Sequence, residues 1–582
     1  MTEDLSDRYG PLFRWVLAGA GLLQGLGYYI LVEMADDAVS TALVATMVFL
    51  LVAPLSFQLS YGLGQRVRVA AAGIGFGLLA SLLWVWLDIR VDGESARPAS
   101  DEHLFTFIWT MTGGAYIILP FIQTWLSEGG FRFPYPPLFR FSWNNILVAA
   151  IAGTFLGVFW LVLLLWWSLF ELVGVSFFYD LFTEPLFAWA FSGGVLGLGI
   201  AIARENDRIV PTFRRVVLTL FQVLAPVLAV AALLFLVFLP FTGLDPLWET
   251  RRATPILVAL MFAVVLSVNA VIQDGSLDEP KNRVIAWLIA AALLLLPVYA
   301  GLAFYATSLR IDQYGITPDR YIARLIVIVA AAHVVLYAVA VAFRRLSWSD
   351  WVCRANPALA AIVALIALLL QTPVLDPYRS TANDQLARLL DGRADAETFD
   401  YAFLHFKLGQ SGREALADLD NLDDHPNLAQ IKAGLAEARD ADFYYQVAQL
   451  PPSTSEQARQ TLILRPETLE VSDALWKSLE RHYRWQLERC AEKQFDCGLL
   501  GLDTDSDGAL EYFFLNSSQG NNVFALDGEG KGNFVPRRTG PLNRTPSGGG
   551  GPTLWDSFVA GDYELVEPRH LDIRIGEEVL SY

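Results

Sequence analysis

Three consecutive stretches decide the fold: VIAWLIAAALLLLPVYAGLAFY (Val284–Tyr305), SLRIDQYGITPDRYIAR (Ser308–Arg324) and LIVIVAAAHVVLYAVAVAF (Leu325–Phe343). The outer two are each about the twenty apolar residues that a helix needs to cross a bilayer. The segment between them carries Arg310, Arg320 and Arg324 with a Gly and a Pro, so it belongs at a membrane surface. The three together read as a membrane hairpin with a polar tip.

The same apolar character extends outward. The chain has 582 residues, 54% of them hydrophobic, and a mean hydropathy of +0.40. Almost all of this apolarity lies before Gln371. Further spans are expected at Pro11–Leu31, Ala38–Leu59, Val67–Leu87, Leu104–Leu126, Ile146–Phe170, Pro185–Ala203, Val216–Leu239, Pro255–Ile272 and Ala358–Leu370. With the hairpin pair this gives about eleven transmembrane helices. The last is short, and Glu171–Glu184, with Phe177, Phe178 and Tyr179, is expected as an interfacial loop. The expected fold is a polytopic α-helical membrane protein with a C-terminal soluble α+β domain. The boundaries read as 1–374 for the transmembrane helices, 375–497 for a helical part and 498–582 for a small β-rich part.

Charge sets sidedness. With a cytoplasmic N-terminus, the inner segments hold fifteen Lys and Arg residues and the outer ones seven, which the positive-inside rule favours. An odd number of spans then puts the tail outside, in the periplasm if the membrane is a bacterial inner membrane. The formal net charge is −18, and from Asp376 onward 35 acidic and 20 basic residues contribute −15 of it. So acidic a tail argues against nucleic acid as a partner. No basic leader region opens the chain, so the first apolar run reads as a retained helix.

Cysteine usage agrees with that orientation. Cys353 falls in an inner connection. Cys490 and Cys497, in CAEKQFDC, are close enough for a small disulfide loop, as expected in an oxidising compartment. Trp15, Trp84, Trp86, Trp166 and Trp167 sit near span ends and read as an aromatic belt. The small-residue runs Ala71–Gly77 and Ser192–Gly199 read as close helix packing. In the tail, Asn383 is a candidate cap for a short helix ending near Gly392. Ala396–Lys407 reads as a helix with Phe399, Phe403 and Phe406 on one face, and Leu428–Tyr445 and Asp473–Cys490 as longer helices. Leu510–Leu515, Val523–Leu526, Phe558–Val566 and Leu571–Ile575 read as strands.

Three motifs could carry chemistry. In Asp503-Thr-Asp505-Ser-Asp507-Gly508-Ala509-Leu-Glu511, carboxylates at positions one, three and five could surround a hard cation. Ala509 would offer its carbonyl and Glu511 a further carboxylate. Phe514 stands at position twelve, so the loop is no EF-hand; it resembles the DxDxDG loops of FG-GAP-type repeats, where a strand follows. Calcium there would be structural; the alternative is an acidic turn without an ion. The hairpin tip groups Arg310, Gln313, Tyr314, Gly315, Thr317, Pro318 and Arg320, a set suited to phosphate or carboxylate. A docked acidic tail or an envelope lipid or protein would fit it, and a plain turn with snorkelling arginines is the alternative. Asn269, Gln273 and Asp274, in NAVIQDG, lie at the inner end of a span, where interhelical hydrogen bonding is favoured over substrate binding. His333 reads as a packed histidine. No Walker A, HExxH or GxSxG motif is present, so the sequence points to no reaction. A secondary transporter, or an integral-membrane enzyme acting on a lipid-linked substrate, stays open as an alternative.

RIDQYGITPDR, NAVIQDG and FDYAFLHFKLGQSGREAL (Phe399–Leu416) resemble the uncharacterised bacterial family called domain of unknown function four thousand one hundred and fifty-three. The resemblance covers most of the chain before about Asp420. It implies a polytopic inner-membrane protein. The positions matching the family are Arg310, Gln313, Tyr314, Gly315, Thr317, Arg320, Asn269, Gln273 and Asp274. It implies no activity.

Overall fold

The computed structural model describes residues 12–33, 35, 40–91, 97–206, 208–244, 246–247, 252–275, 283–344, 348–441, 444, 452–504, 510–517, 523–529, 533–537, 554–563, 573–575 and 578–580. The chain divides into two units: Met1–Arg388 with Leu408–Ala415, and Leu389–Lys407 with Leu416–Tyr582.

The first unit is a helical bundle. Its helices are α1 (Phe13–Glu33), α2 (Thr41–Ser60), α3 (Arg66–Val91), α4 (Arg97–Glu128), α5 (Tyr135–Glu171), α6 (Phe177–Thr183) and α7 (Pro185–Glu205). They continue with α8 (Ile209–Thr242), α9 (Ala253–Ile272), α10 (Arg283–Tyr314), α11 (Pro318–Arg344), α12 (Trp348–Leu369) and α13 (Pro377–Leu390). Among the described residues, eleven helices are long and apolar enough to cross a membrane, all of these except α6 and α13. They coincide with the eleven expected spans. Large apolar side chains point outward from them, with Leu165 on α5 61% exposed and Phe241 on α8 83%. A protein surface of that kind is stable against lipid, not water.

Two differences have simple causes. The last span begins at Trp348, because Pro357 sits inside the helix, which a bundle tolerates when neighbours satisfy the freed backbone. The aromatic stretch expected as a loop forms α6, and Phe178 stacks on Trp166 of α5 with ring centroids 5.3 Å apart. Trp84 is also not a belt residue. It is 4% exposed and meets the Phe107 ring edge-on at 5.3 Å.

Glycines let two helix pairs approach to backbone contact. A Cβ on Gly21 of α1 would stand 2.1 Å from the Gly193 carbonyl oxygen of α7, and one on Gly25 would stand 2.1 Å from that of Trp189. Gly193 and Gly197 are equally closed from the other side. These are small-xxx-small faces, which supply close van der Waals packing where lipid offers no hydrophobic drive. Gly73 and Gly77 of α3 fit against Ala53 of α2 in the same way. A separate core joins α8 to α12, with Leu257, Met261, Leu293, Leu296, Val327 and Val334 fully enclosed.

The second unit holds α14 (Tyr401–Lys407), α16 (Leu428–Asp440), α17 (Pro452–Thr461), α18 (Asp473–Ala491) and α19 (Leu554–Ala560); α15 (Gly409–Asp420) passes from the first unit into it. Its sheet has the order β1 (Ile463–Arg465), β2 (Cys497–Leu502), β3 (Glu511–Asn516), β4 (Val523–Glu529) and β5 (Asn533–Arg537). β1 runs parallel to β2, and the remaining pairs are antiparallel. A further ribbon pairs β6 (Ile573–Ile575) with β7 (Glu578–Leu580). Leu475, Leu479, Tyr483 and Leu487, four apart on α18, bury one stripe against Leu499 and Phe514 of the sheet. A disulfide joins Cys490 at the end of α18 to Cys497 at the start of β2.

Several tail expectations are corrected. Asn383 lies inside α13, and the cap is Asp376, whose Oδ1 accepts from the N–H groups of Tyr378 and Arg379. Phe399 precedes its expected helix, because Asp400 caps α14 by accepting from the Phe403 N–H. Phe558 lies on a helix, α19, where its ring fills the space a Cβ on Gly498 would need. Ile463–Arg465, in the expected helical part, is a strand.

Candidate functional site

Four spans bring four polar side chains to one point inside the bundle. Tyr135 opens α5, Asn269 stands three residues before the end of α9, Tyr337 lies in the C-terminal half of α11 and Asn356 in the N-terminal half of α12. Because neighbouring spans alternate in direction, all four positions fall on the same side of the membrane. Within helices that are otherwise apolar, such groups must satisfy one another.

They do so in a closed ring. The Asn269 amide nitrogen donates to the Tyr337 hydroxyl at 2.9 Å. That hydroxyl donates to the Asn356 amide oxygen at 2.9 Å. The Asn356 amide nitrogen donates back to the Asn269 amide oxygen at 2.7 Å. Tyr135 adds a fourth member, its hydroxyl donating to the same Asn269 oxygen at 3.2 Å. The second N–H of Asn269 donates to the Val265 carbonyl. A ring of this kind holds each member in one orientation, since turning one breaks two bonds.

The ring forms one end of a cavity of about 470 Å³, within the range of small-molecule sites, roughly 300–1,000 Å³. The remaining wall is mainly aromatic and aliphatic, with Tyr116, Phe121, Phe139, Trp143, Phe262 and Leu266 prominent. Tyr116, Phe262 and Leu266 are 40%, 39% and 42% exposed, so the cavity opens sideways on the outer face of the bundle. Among the described residues no Asp, Glu, Lys or Arg lines it. His333 does, and its Nδ1 lies 2.8 Å from the Val329 carbonyl oxygen. A carbonyl can only accept, so Nδ1 carries a proton. The cavity therefore offers hydrogen-bonding groups and, among the described residues, no carboxylate, lysine or arginine.

Of the residues singled out by sequence, Asn269 and His333 lie in this site. Gln273 and Asp274 do not line it; Gln273 ends α9 in the left-handed region, φ +55°, and its N–H donates to the Asn269 carbonyl. Tyr135, Tyr337 and Asn356 escaped sequence reading. Tyrosine near a span end reads as an interfacial anchor, and Asn356 sits in a short polar stretch before the expected last span. The alternation of spans is the one signal that could have grouped them.

The hairpin tip is a separate feature. α10 continues through Tyr314, the chain turns at Gly315 (φ +77°), and α11 starts at Pro318 under Thr317, whose hydroxyl accepts from the Arg320 N–H. α13 closes over the turn. Arg388 Nη2 donates to the Asp312 and Gln313 carbonyls, Gln385 donates to the Ile316 carbonyl, and Asp384 accepts from the Ile316 N–H at 2.7 Å. Arg320 donates to the carbonyls of Tyr314 and Gly315, and Arg324 to the Ser308 hydroxyl. Opposite charge is not what holds this tip: among the described residues no carboxylate pairs with Arg310 or Arg320. Backbone caps hold it.

In the second unit, Asp503 and Glu511 flank the hairpin connection from β2 to β3, where Leu502 and Glu511 are in register. The Glu511 carboxylate accepts from the Thr504 N–H and hydroxyl at 2.6 and 2.7 Å. Asp505, Asp507 and Ala509 lie outside the described residues, and among those described no His, Cys, Asp or Glu cluster could hold a metal.

The chain belongs to the uncharacterised family described as Domain of unknown function (DUF4153), whose model matches residues 23–419, more than half of its length. Every ring member, every residue lining the cavity and the hairpin tip fall inside that match. Neither a curated protein nor a solved structure matches the chain.

Proposed function

We propose that this membrane protein binds an uncharged amphiphile, one hydrogen-bonding head on an apolar tail, in the cavity above the Asn269–Tyr337–Asn356 ring. One observation carries the reading: a cavity of about 470 Å³ with a polar end, an apolar wall, a sideways opening and, among the described residues, no Asp, Glu, Lys or Arg in its lining. A neutral membrane lipid has that chemistry, and it reaches the opening from the bilayer without crossing water. The arginine count favours a cytoplasmic N-terminus in a bacterial inner membrane, with the ring on the cytoplasmic side and the tail in the periplasm. Tail contacts with an envelope lipid or protein are part of the same reading.

Lipid extracted from purified full-length protein tests it. The wild type should carry a neutral lipid in near-stoichiometric amount, and Ala263→Trp, which fills the cavity, should lose it. Equal neutral lipid in both would sink the proposal. Transport of the amphiphile is a second reading, favoured by Pro120 and Pro357, which line the cavity inside α4 and α12, where helices bend most easily. Reconstituted vesicles that move a labelled neutral lipid between leaflets, and stop doing so with Ala263→Trp, would select it.

A structural calcium at Asp503, Asp505, Asp507, Ala509 and Glu511 is a separate proposal, supported by the loop pattern and by the strand Glu511–Asn516 that follows it. Millimolar calcium should raise the unfolding temperature of the tail, and Asp505→Asn should remove the effect. No shift in the wild type would dismiss the ion.

A further inference from the structure

A second cavity lies on the other face of α5, and its chemistry is the opposite of the first. It measures about 230 Å³ and is lined by Gln123 and Ser127 of α4, Arg140, Asn144 and Asn145 of α5, Arg204 of α7 and Asn206, with an apolar remainder. It lies where α2, α4 and α7 end and α5 and α8 begin, on the same side of the membrane as the Asn269 ring. Among the described residues, two arginines line it and no carboxylate does.

The amides are set for an anion. The Asn144 oxygen accepts from Arg214 Nη1 at 2.9 Å, and the Asn206 oxygen accepts from the Arg208 N–H at 3.1 Å. With both oxygens engaged, each side chain has its NH₂ group left to offer. Gln123 and Asn145, behind them, are buried and satisfied by each other, with bonds of 3.0 and 2.8 Å in the two directions. Arg204 is fixed by the carbonyls of Gln58 and Tyr61 and by the Phe13 ring. Arg140 is exposed, with its guanidinium 5.3 Å from the Phe141 ring centroid. The Glu205 carboxylate is taken by Arg14.

We propose that this cavity binds a phosphate group, as the head of an anionic phospholipid of that leaflet. Arg140 and Arg204 supply the charge, and Asn144 and Asn206 the neutral donors. The position at the ends of five spans is the level of lipid phosphates, and a surface rich in arginine concentrates anions there. The site is independent of the neutral cavity, whose lining it does not share.

The test uses full-length protein in neutral-detergent micelles, with phosphatidylglycerol or inorganic phosphate as probe. Phosphatidylglycerol should raise the unfolding temperature of the wild type. Arg140→Gln should weaken its binding by about tenfold, the loss of one charge-assisted contact. Asn206→Asp, which brings a carboxylate to the lining, should weaken it at least as much. Arg439→Gln, in an exposed ion pair of the second unit, should leave it unchanged. If inorganic phosphate gives the same shift and the same Arg140 dependence, the site holds with a soluble anion as its ligand. Equal phosphatidylglycerol binding by wild type, Arg140→Gln and Asn206→Asp overturns it. The unliganded unfolding temperature of each variant separates lost binding from lost folding.

Discussion

At Gly315 one missing atom decides whether the hairpin can close. A Cβ there would stand 2.4 Å from Gln385 Nε2, 3.0 Å from Arg388 Cδ and 3.1 Å from Asp384 Oδ2, and φ is +77°. Gly315→Ala should therefore destabilise by about 1–2 kcal/mol from backbone conformation alone, with the collision added. Gly301, inside α10, has nothing within 4 Å of its Cβ position. Gly301→Ala should be neutral or stabilising by about 0.5–1 kcal/mol. Unfolding temperatures of the two variants should move in opposite directions. Asp400 gives a pH-dependent counterpart in the second unit. Burial raises its carboxyl above the usual range, against the pull of the Tyr444 hydroxyl, the Phe403 N–H and Arg484. The folded state then holds this proton to higher pH than the unfolded chain does. Its contribution to stability is best at low pH and falls as pH rises from the ordinary carboxylate value to the raised one. Asp400→Asn should flatten the stability profile across that window, read by thermal unfolding at a series of pH values. An unchanged slope would show that another group carries it. Gly315 was legible as a turn glycine. Its partners were not, because Asp384, Gln385 and Arg388 bind backbone groups, which leave no mark in a sequence.

Helices were the most legible elements. Lipid demands a long apolar run for every crossing, so composition alone finds the spans, and all eleven coincide with helices. Their ends were less legible: α5 starts eleven residues before its expected span, since Tyr135–Asn145 mixes aromatic residues with Arg140, Asn144 and Asn145. The ring and the anion cavity both use that early turn, so the polar residues that blurred the boundary build the sites. The glycine runs were read correctly as packing. Gly193→Leu should break the contact between α1 and α7, at a cost of at least about 1–3 kcal/mol for overpacking against a backbone that cannot retreat. Gly194, whose nearest neighbour would be 3.6 Å away, should accept alanine with little change. Loss of folded yield for Gly193→Leu but not Gly194→Ala checks this. In the tail, Phe558 misled because an aromatic beside valine suits a strand and a helix equally well.

Across the whole molecule the proposed topology depends on parity. Eleven crossings would put the two chain ends on opposite sides of the membrane, and the arginine excess favours the cytoplasm for the first of them. A reporter active only in the cytoplasm should stay dark when fused after Tyr582 and become active when fused in the connection at 276–282. Activity after Tyr582 would reverse the sidedness of the ring, the anion cavity and the tail together. What the sequence could not convey is that Tyr135, Asn269, Tyr337 and Asn356 meet. Up to 221 positions separate them along the chain, and only the packing of four spans makes them neighbours.

The contact between α1 and α7 also fixes an order of events during synthesis. The first span leaves the ribosome with its Gly21–Gly25 groove finished, but the matching Gly193–Gly197 groove arrives only after four more crossings have been made. Until then the groove is filled by lipid tails that a protein backbone must later displace. A nascent chain stopped after Glu171 would keep that unmatched groove, and it should be cleared by membrane proteases far faster than one stopped after Glu205.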